Sequence, residues 1–358
     1  MRGRRMEKRM RCLGMGMLLG VGLGLAPSTP AALDLKIMTF NIRNGGDRPD
    51  WDKRKAQVFD LFKTKAPDLA GLQEAFRYQL DEMKAANPEY GELGVGRDDG
   101  KTAGEYSALL YRKSAFTVDT SGTYWLSSTP DVPGSKFPGA GSIRINTWAR
   151  LRHTATGKYF YFNSSHWDNV SDPARKLAGQ VIADRIAKRA HKEDPVIAVC
   201  DCNTGDTDPA VRYLLGEGGS PLKFYSVYSK LYPSDMNSAT FHDFKGVTAG
   251  RPIDHILTFD SVQALDATII RDHIGTVYPS DHYPLMATLR INVPVTALEG
   301  RPAAGKPGAG KHRAGNSGDG AHFRAMKSGR VYLLPDGVGG RGVLGWDVTG
   351  ILIDPVVE

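Results

Sequence analysis

Short apolar runs and stretches of helical period divide this chain into strands and helices before any single residue is considered. An apolar run from Leu35 to Phe40 predicts a buried strand, ended by the polar group Asn41-Ile42-Arg43-Asn44-Gly45-Gly46. Trp51 to Lys65 follows a helical period, with Ala56, Phe59 and Phe62 beside Val58 and Leu61 on an apolar stripe that Pro67 stops. A strand at Leu69–Gln73, a helix over 77–86 and strands near Tyr106–Arg112, Phe116–Ser121 and Ile143–His153 come next. Thr156-Gly157 turns the chain into Tyr159–Asn163, which is apolar or aromatic on both faces, as a strand between two layers must be, and which ends at His166. The longest helical pattern covers Asp172–Lys192, with Leu177, Val181, Ile182 and Ile186 at three- and four-residue steps. After Pro195 a strand Val196–Val199 runs into Asp201-Cys202-Asn203, a short helix is expected at Pro209–Leu215, and strands recur at Ile253–Phe259, Ala264–Ile270 and Leu285–Ile291. Helices interleave with hairpins, which predicts a layered α/β protein with mixed sheets rather than a parallel doubly wound one.

The two ends of the chain read differently. Residues 1–32 join a basic start to an apolar stretch from Cys12 to Ala26 and then Ser-Thr-Pro-Ala-Ala, the order of a secretory signal peptide. The apolar stretch is shorter than the roughly 20 residues a spanning helix needs. Cleavage near Ala32 and a secreted or periplasmic location are therefore expected, with no stable membrane span. Residues 33–293 form the expected catalytic domain, 294–320 a Gly/Pro/Ala-rich linker, and 321–358 a short tail with apolar runs suited to a β-hairpin. A monomer is expected.

Charge changes the picture less than its total suggests. The formal net charge is +7, but residues 33–292 hold 32 basic against 32 acidic side chains, so the excess lies at the ends. A neutral core gives no long-range attraction to polyanions, although a local basic groove stays open. Beyond the leader only Cys200 and Cys202 remain; at i and i+2 of an apparent strand they share a face on stretched backbone and read as buried packing residues rather than a bridge.

Several predicted strands end in residues that can do chemistry: Asn41, Glu74, His166, Asp201 with Asn203, and Asp281 with His282 just before a strand. In α/β folds such ends gather where ligands bind. One Asp, Asn or His near a turn is usually a cap; the set together supplies what metal-assisted phosphoester cleavage requires. Glu74 with Asn41 can hold Mg²⁺ (or Mn²⁺), which prefers hard oxygens and keeps several waters. Asp201 and Asn203 share a face and can orient an attacking water. Two imidazoles beside carboxylates predict the pairs His282 with Asp254 and His166 with Glu105, each a cationic donor for developing phosphoryl charge. Zinc would ask for a His/Cys cluster that the spacing does not provide.

These residues stand in blocks that resemble the endonuclease/exonuclease/phosphatase superfamily over about residues 35–291: Met38-Thr39-Phe40-Asn41-Ile42-Arg43, Leu72-Gln73-Glu74, Gly104-Glu105-Tyr106-Ser107, Ser165-His166-Trp167-Asp168, Asp201-Cys202-Asn203, Pro252-Ile253-Asp254-His255 and Ser280-Asp281-His282-Tyr283-Pro284-Leu285. The resemblance implies a four-layer α/β/β/α sandwich of two packed mixed sheets, with the site at one edge. It implies metal-site roles for Asn41, Glu74 and Asp281, water and phosphate positioning by Asp201 and Asn203, and a His282–Asp254 pair. The family's usual Gly-Asp-Phe-Asn is Cys200-Asp201-Cys202-Asn203 here, and its frequent Arg-Ile-Asp-Tyr is Pro252-Ile253-Asp254-His255, so His255 is expected in the core. Asp168 and Arg144 receive no role at this stage. The expected function is hydrolysis of a phosphodiester or phosphomonoester in a small molecule, lipid headgroup or nucleic acid. A secreted nuclease and a noncatalytic binding domain of the same fold are the alternatives.

Overall fold

The computed structural model describes residues 32–46 and 48–292; residues 1–31 of the expected leader, the linker and the tail hairpin lie outside the described residues. The first half runs β1 (Ala32–Asn41), α1 (Arg48–Lys65), β2 (Leu69–Ala75), α2 (Arg77–Ala86), β3 (Tyr90–Leu93), β4 (Tyr106–Arg112), β5 (Phe116–Trp125) and β6 (Ile145–His153). The second runs β7 (Tyr159–His166), α3 (Asp172–Ala187), β8 (Val196–Asp201), α4 (Pro209–Leu214), β9 (Tyr225–Ser226), α5 (Val227–Leu231), β10 (Asp254–Thr258), β11 (Val262–Ile269) and β12 (Leu285–Asn292).

Two six-stranded mixed sheets result, ordered β11-β12-β1-β2-β4-β3 and β5-β6-β7-β8-β10-β9. Each contains one parallel pair, β1 with β2 and β7 with β8, joined by the crossover helices α1 and α3. Three cores fill the three interfaces of a four-layer α/β/β/α sandwich. Leu35, Ile37, Phe160, Phe162, Ile197, Val199 and Ile256 pack between the sheets. Met38, Phe40 and Leu72 pack under α1 and α2, and Val196, Ala198 and Leu257 under α3 and α4. A strand with apolar residues on both faces belongs in such a middle layer, and each fully buried Leu, Ile or Phe contributes roughly 1.5–3 kcal/mol. Gly71 marks the tightest approach of the sheets: a Cβ there would lie 2.2 Å from Val199 Cγ2.

Element types follow the apolar pattern, but details depart from it. The two-residue β9, the four-residue β3 and α5 are too short for a periodic signal. The buried face of α3 keeps Ile182 and Ile186 of the expected stripe, but Leu177 and Val181 are only half-buried and Ala174, Arg175, Ala178, Gly179 and Ala183 complete it. Close packing explains this, since a Cβ on Gly179 would stand 2.7 Å from the Ala210 carbonyl of α4. The helix also stops at Ala187 instead of Lys192, where Arg189 Nη1 donates to the Ile186 carbonyl 2.9 Å away. In α1 the buried face holds Trp51, Arg54, Val58, Leu61 and Phe62, while Ala56 is exposed. Among the described residues, no helix is long and apolar enough to cross a membrane.

Candidate active site

Strand periodicity assembles most of the site. Ile37 of β1, Phe162 of β7, Val199 of β8 and Ile256 of β10 all face the seam between the sheets. Counting in twos toward one end of that seam reaches Asn41, His166, Asp201 and Asp254, so each polar side chain continues a row of core residues. The opposite parity puts His255 under the outer helices, 1% exposed, with Nε2 2.9 Å from the Thr204 carbonyl, as a core role requires.

Glu74 does not follow from periodicity. By alternation it belongs on the helix side of β2. A register shift between Leu72 and Ala75 and a φ of 62° turn it instead toward Asn41. Asn41 Nδ2 donates to Glu74 Oε1 at 3.0 Å and to Asp201 Oδ2 at 2.9 Å, tying the two sheets together. Asn44 holds the other Glu74 oxygen through its amide and side chain, both at 3.0 Å. Burial opposes the charge on Glu74, yet these donors and Arg43 hold its carboxyl below the usual range. Arg43 and Asn203, at φ 58° and 52°, are also left-handed. Non-glycine residues in that region cluster where function holds them.

Asp254 lies directly opposite Asp201 in the β10–β8 ladder, a like-charge pair that sheets normally avoid. His282 relieves it: Nδ1 sits 2.9 Å from Asp254 Oδ2 and Nε2 3.7 Å from Asp201 Oδ2. Burial disfavours charge on this ring, but the two carboxylates outweigh burial and raise His282 to about 10. Burial and Asp254 push Asp201 up to about 7.

His166 departs from expectation. Its Nε2 lies 3.0 Å from Asn203 Nδ2 and 3.4 Å from Asp201 Oδ2, not on Glu105. Burial, followed by Arg144, Arg97 and His282, lowers it well below the ordinary histidine range, so a neutral ring replaces the expected cation. Glu105 instead pairs with Arg97 and accepts from Asn44 Nδ2 at 3.4 Å. Arg97 arrives on the loop before β4 and takes the place that His166 was expected to fill.

Arg144 and Asp168 acquire roles. Asp168 accepts the amides of Ser142, Val170 and Ser171 at 3.0, 3.1 and 2.8 Å, which fixes the loop entering β6. On that loop Arg144 is 7% exposed and donates to Asn169 Oδ1 at 3.1 Å. Its Nε and Nη1, like His166 Nδ1, have no hydrogen-bond partner, and all line one small cleft with Arg97 and Glu105. Buried donors without partners are costly unless a ligand accepts from them.

Cys200 and Cys202 face α3 and α4 as expected but form a disulfide. The strand ends at Asp201 and the chain bends, so the Cα atoms are 5.3 Å apart, within bridging range.

A family model described as the endonuclease/exonuclease/phosphatase family matches residues 38–282, spanning every candidate site residue. The chain belongs to this family. Solved structures align with it over 98–100% of their own length. The endonuclease/exonuclease/phosphatase from Bacteroides vulgatus is 32% identical with a TM-score of 0.65, covering 73% of this chain and 100% of its own. The mannosyl-6-phosphatase of Bacteroides thetaiotaomicron is 31% identical with a TM-score of 0.65, covering 71% of this chain and 99% of its own. TDP2 of D. rerio, complexed with single strand DNA product, shares the fold at 20% identity and a TM-score of 0.58, covering 72% and 98%. No curated protein matches the sequence.

The endonuclease/exonuclease/phosphatase family typically uses a divalent metal, and the donor set here has residues that fit one. Arg43 Nη1 stands 3.7 Å from both Glu74 Oε2 and Asp281 Oδ2, so two carboxylates converge on one cationic position beside Asn41. Hard oxygen donors of this kind suit Mg²⁺ or Mn²⁺. A second group, Asp201, Asp254 and His282, also brings ligand atoms within 4.8 Å of one another. We favour the first, because His282 already neutralises the second.

The loops of this site also depend on a residue that its own hydropathy could not single out. Arg54 of α1 is 1% exposed, and its guanidinium donates to the carbonyls of Ile42, Arg43 and Pro279 at 2.5, 2.9 and 3.0 Å. It thereby clamps the loop after Asn41 to the loop before Asp281. Ser280 Oγ adds a bond to the Asn41 carbonyl at 2.7 Å. A helical arginine in sequence reads as solvated surface; the signal for Arg54 was its place on the apolar stripe, three residues after Trp51 and four before Val58.

Proposed function

We propose that this chain is an exported, divalent-metal-dependent phosphoester hydrolase that acts on a phosphomonoester of a sugar. The observation that carries this reading is the juxtaposition of His282, held between Asp254 and Asp201, with the converging carboxylates of Glu74 and Asp281. Family membership supports phosphoester hydrolysis, and likeness to a mannosyl-6-phosphatase supports the monoester of a sugar. The neutral charge balance of residues 33–292 favours a small substrate over a polyanion. The basic, apolar and small-residue order of residues 1–32 supports export, which N-terminal sequencing of the mature protein tests: a start near Leu33 is expected, and an intact Met1 on cytoplasmic protein contradicts it.

In this reading Asn41, Glu74 and Asp281 hold the cation, which when bound polarises a phosphoryl oxygen and offsets its charge. His282 stays cationic at neutral pH and points Nε2 at the developing negative charge. Asp201, raised toward neutrality, takes the proton of the attacking water once ionised, and Asn203 fixes that water's direction. Arg144, buried beside His166, adds positive charge to the field at the phosphoryl group. The neutral His166 ring leaves the positive field to Arg144 and His282.

Hydrolysis of 4-nitrophenyl phosphate and of bis(4-nitrophenyl) phosphate, each with and without EDTA, tests the reading. Cleavage of the monoester that EDTA abolishes and Mg²⁺ or Mn²⁺ restores is expected. Cleavage indifferent to chelation contradicts the metal assignment, and cleavage of the diester alone contradicts the monoester assignment.

A further inference from the structure

Phe241 is 45% exposed, and its ring centroid lies 5.0 Å from that of His282. Large exposed aromatics usually sit on yielding loops; this one does not. Backbone bonds fasten its segment to the catalytic strand entry, with the His242 amide on the Asp281 carbonyl at 2.8 Å, Asp243 on the same carbonyl at 3.2 Å, and the Tyr283 amide on the Thr240 carbonyl at 2.7 Å. The neighbours on either side point inward. Thr240 is fully buried, its Oγ1 accepting the amides of Ile253 and Asp254 at 3.1 Å each. His242 is 2% exposed and stacks on Tyr283 at 3.9 Å, with Tyr278 at 4.7 Å. Alternation between two anchored residues therefore presents Phe241 outward beside the reacting imidazole. Holding a phenyl ring half in water on rigid backbone gives the fold no burial, whereas a partner that covers it gains the full apolar contact.

We propose that Phe241 is a specificity-determining wall of the substrate site, against which the carbon face of a sugar ring stacks while its phosphate occupies the site below; this rests on the phosphomonoester reading above. A flat, immobile surface favours a flat, rigid partner, because a flexible chain loses rotamer freedom on lying down against it. The polar side chains around the mouth fit hydroxyl groups. Asn44 stands beside Glu74 and Glu105, Asn169 holds Arg144, and Asp243 is exposed next to Phe241 in the field of Arg43.

The test compares glucose 6-phosphate, adenosine 5′-monophosphate and the acyclic glycerol 3-phosphate as substrates of the full chain and of Phe241→Ala, Phe241→Leu and Phe241→Trp. In Phe241→Ala the ratio of kcat/KM for the hexose phosphate over the acyclic one should fall roughly tenfold, the change residing in KM. Phe241→Leu, which keeps bulk without a planar face, should behave like Phe241→Ala, and Phe241→Trp should restore the ratio. Equal losses on all three substrates, carried by kcat, mean that Phe241 only orders His282 and overturn the proposal. A selective loss on the nucleotide overturns the sugar in favour of a base. Wild-type protein that cleaves 4-nitrophenyl phosphate but does not prefer the hexose phosphate removes the wall and leaves the hydrolase reading standing; cleavage of no monoester removes both.

Discussion

His166 and His282 stand at the same end of the same seam, each 5% exposed and each within 4 Å of Asp201, yet they settle on opposite sides of neutrality. Burial disfavours charge on His166, and Arg144 and Arg97 add to its effect. Two aspartates surround His282 and overcome the same burial. Residue type therefore fixes neither ring's charge. Burial, aided by arginines brought in on loops before β4 and β6, makes one imidazole a neutral polar group, and the cross-strand Asp201–Asp254 pair makes the other a resident cation.

The comparison breaks most visibly at His282. His282→Ala should lower kcat by about 10²–10³, as loss of a donor aimed at developing charge commonly does, and extra Mg²⁺ or Mn²⁺ should not recover it. Glu74→Gln supplies the contrast, since a weakened ligand is compensated by mass action and its activity should climb with added metal. Metal titrations of both variants check this, and equal rescue would remove the distinction between the two halves of the site.

Asp254→Asn should have the next largest effect, roughly 10–10²-fold, the usual range when a carboxylate that orients a functional histidine is lost. Its pH profile is more telling. In the wild type, activity should rise as Asp201 ionises near pH 7 and fall as His282 loses its proton toward pH 10. Asp254 raises both values, one by repulsion and one by attraction, so its neutralisation should move both limbs toward acid. An unchanged profile in a folded variant means that Asp254 does not govern either group.

The smallest effect sharpens the other side. Arg144→Met should raise the His166 pKa toward the ordinary histidine value, read by NMR titration of the ring protons, and should raise KM by about tenfold through loss of a cation beside the phosphate. A His166 resonance that does not move places the cause in burial alone.

Period-two patterning explains why Asn41, His166, Asp201 and Asp254 were legible in sequence, because each extends a row of apolar residues already readable as a core face. Glu74 was legible as a carboxylate at a strand end, but its direction was not. The bulge and left-handed backbone that turn it inward have no signature in the Leu69–Gln73 pattern. Arg54, Arg97 and Arg144 were missed or left without a role because hydropathy treats arginine as surface, while here a guanidinium satisfies buried carbonyls or pairs with a carboxylate inside a seam. Half of the α3 stripe, Leu177 and Val181, fell short for the opposite reason. Gly179 and the alanines carry little hydropathy, yet close contact of α3 with α4 selects them over Leu177. The Cys200–Cys202 bridge turned on where a strand stops, which is the least readable property of a strand.

The place of β12 in the first sheet has a consequence for how the molecule comes into being. The last described strand to be synthesised lies between β11 and β1, pairing Thr39 with Leu285 and Ala32 with Asn292. A nascent chain that stops short of Leu285 holds β1 with one edge open and β11 without a neighbour, and Asp281 and His282 have no strand to fix them. The first strand thus waits for the twelfth, a closure over some 250 residues of the kind that slows folding. Hydrolytic competence should arrive with that insertion, so partial chains are expected to be inert, and recovery of activity on refolding should report the closing of the sheet rather than its earlier collapse.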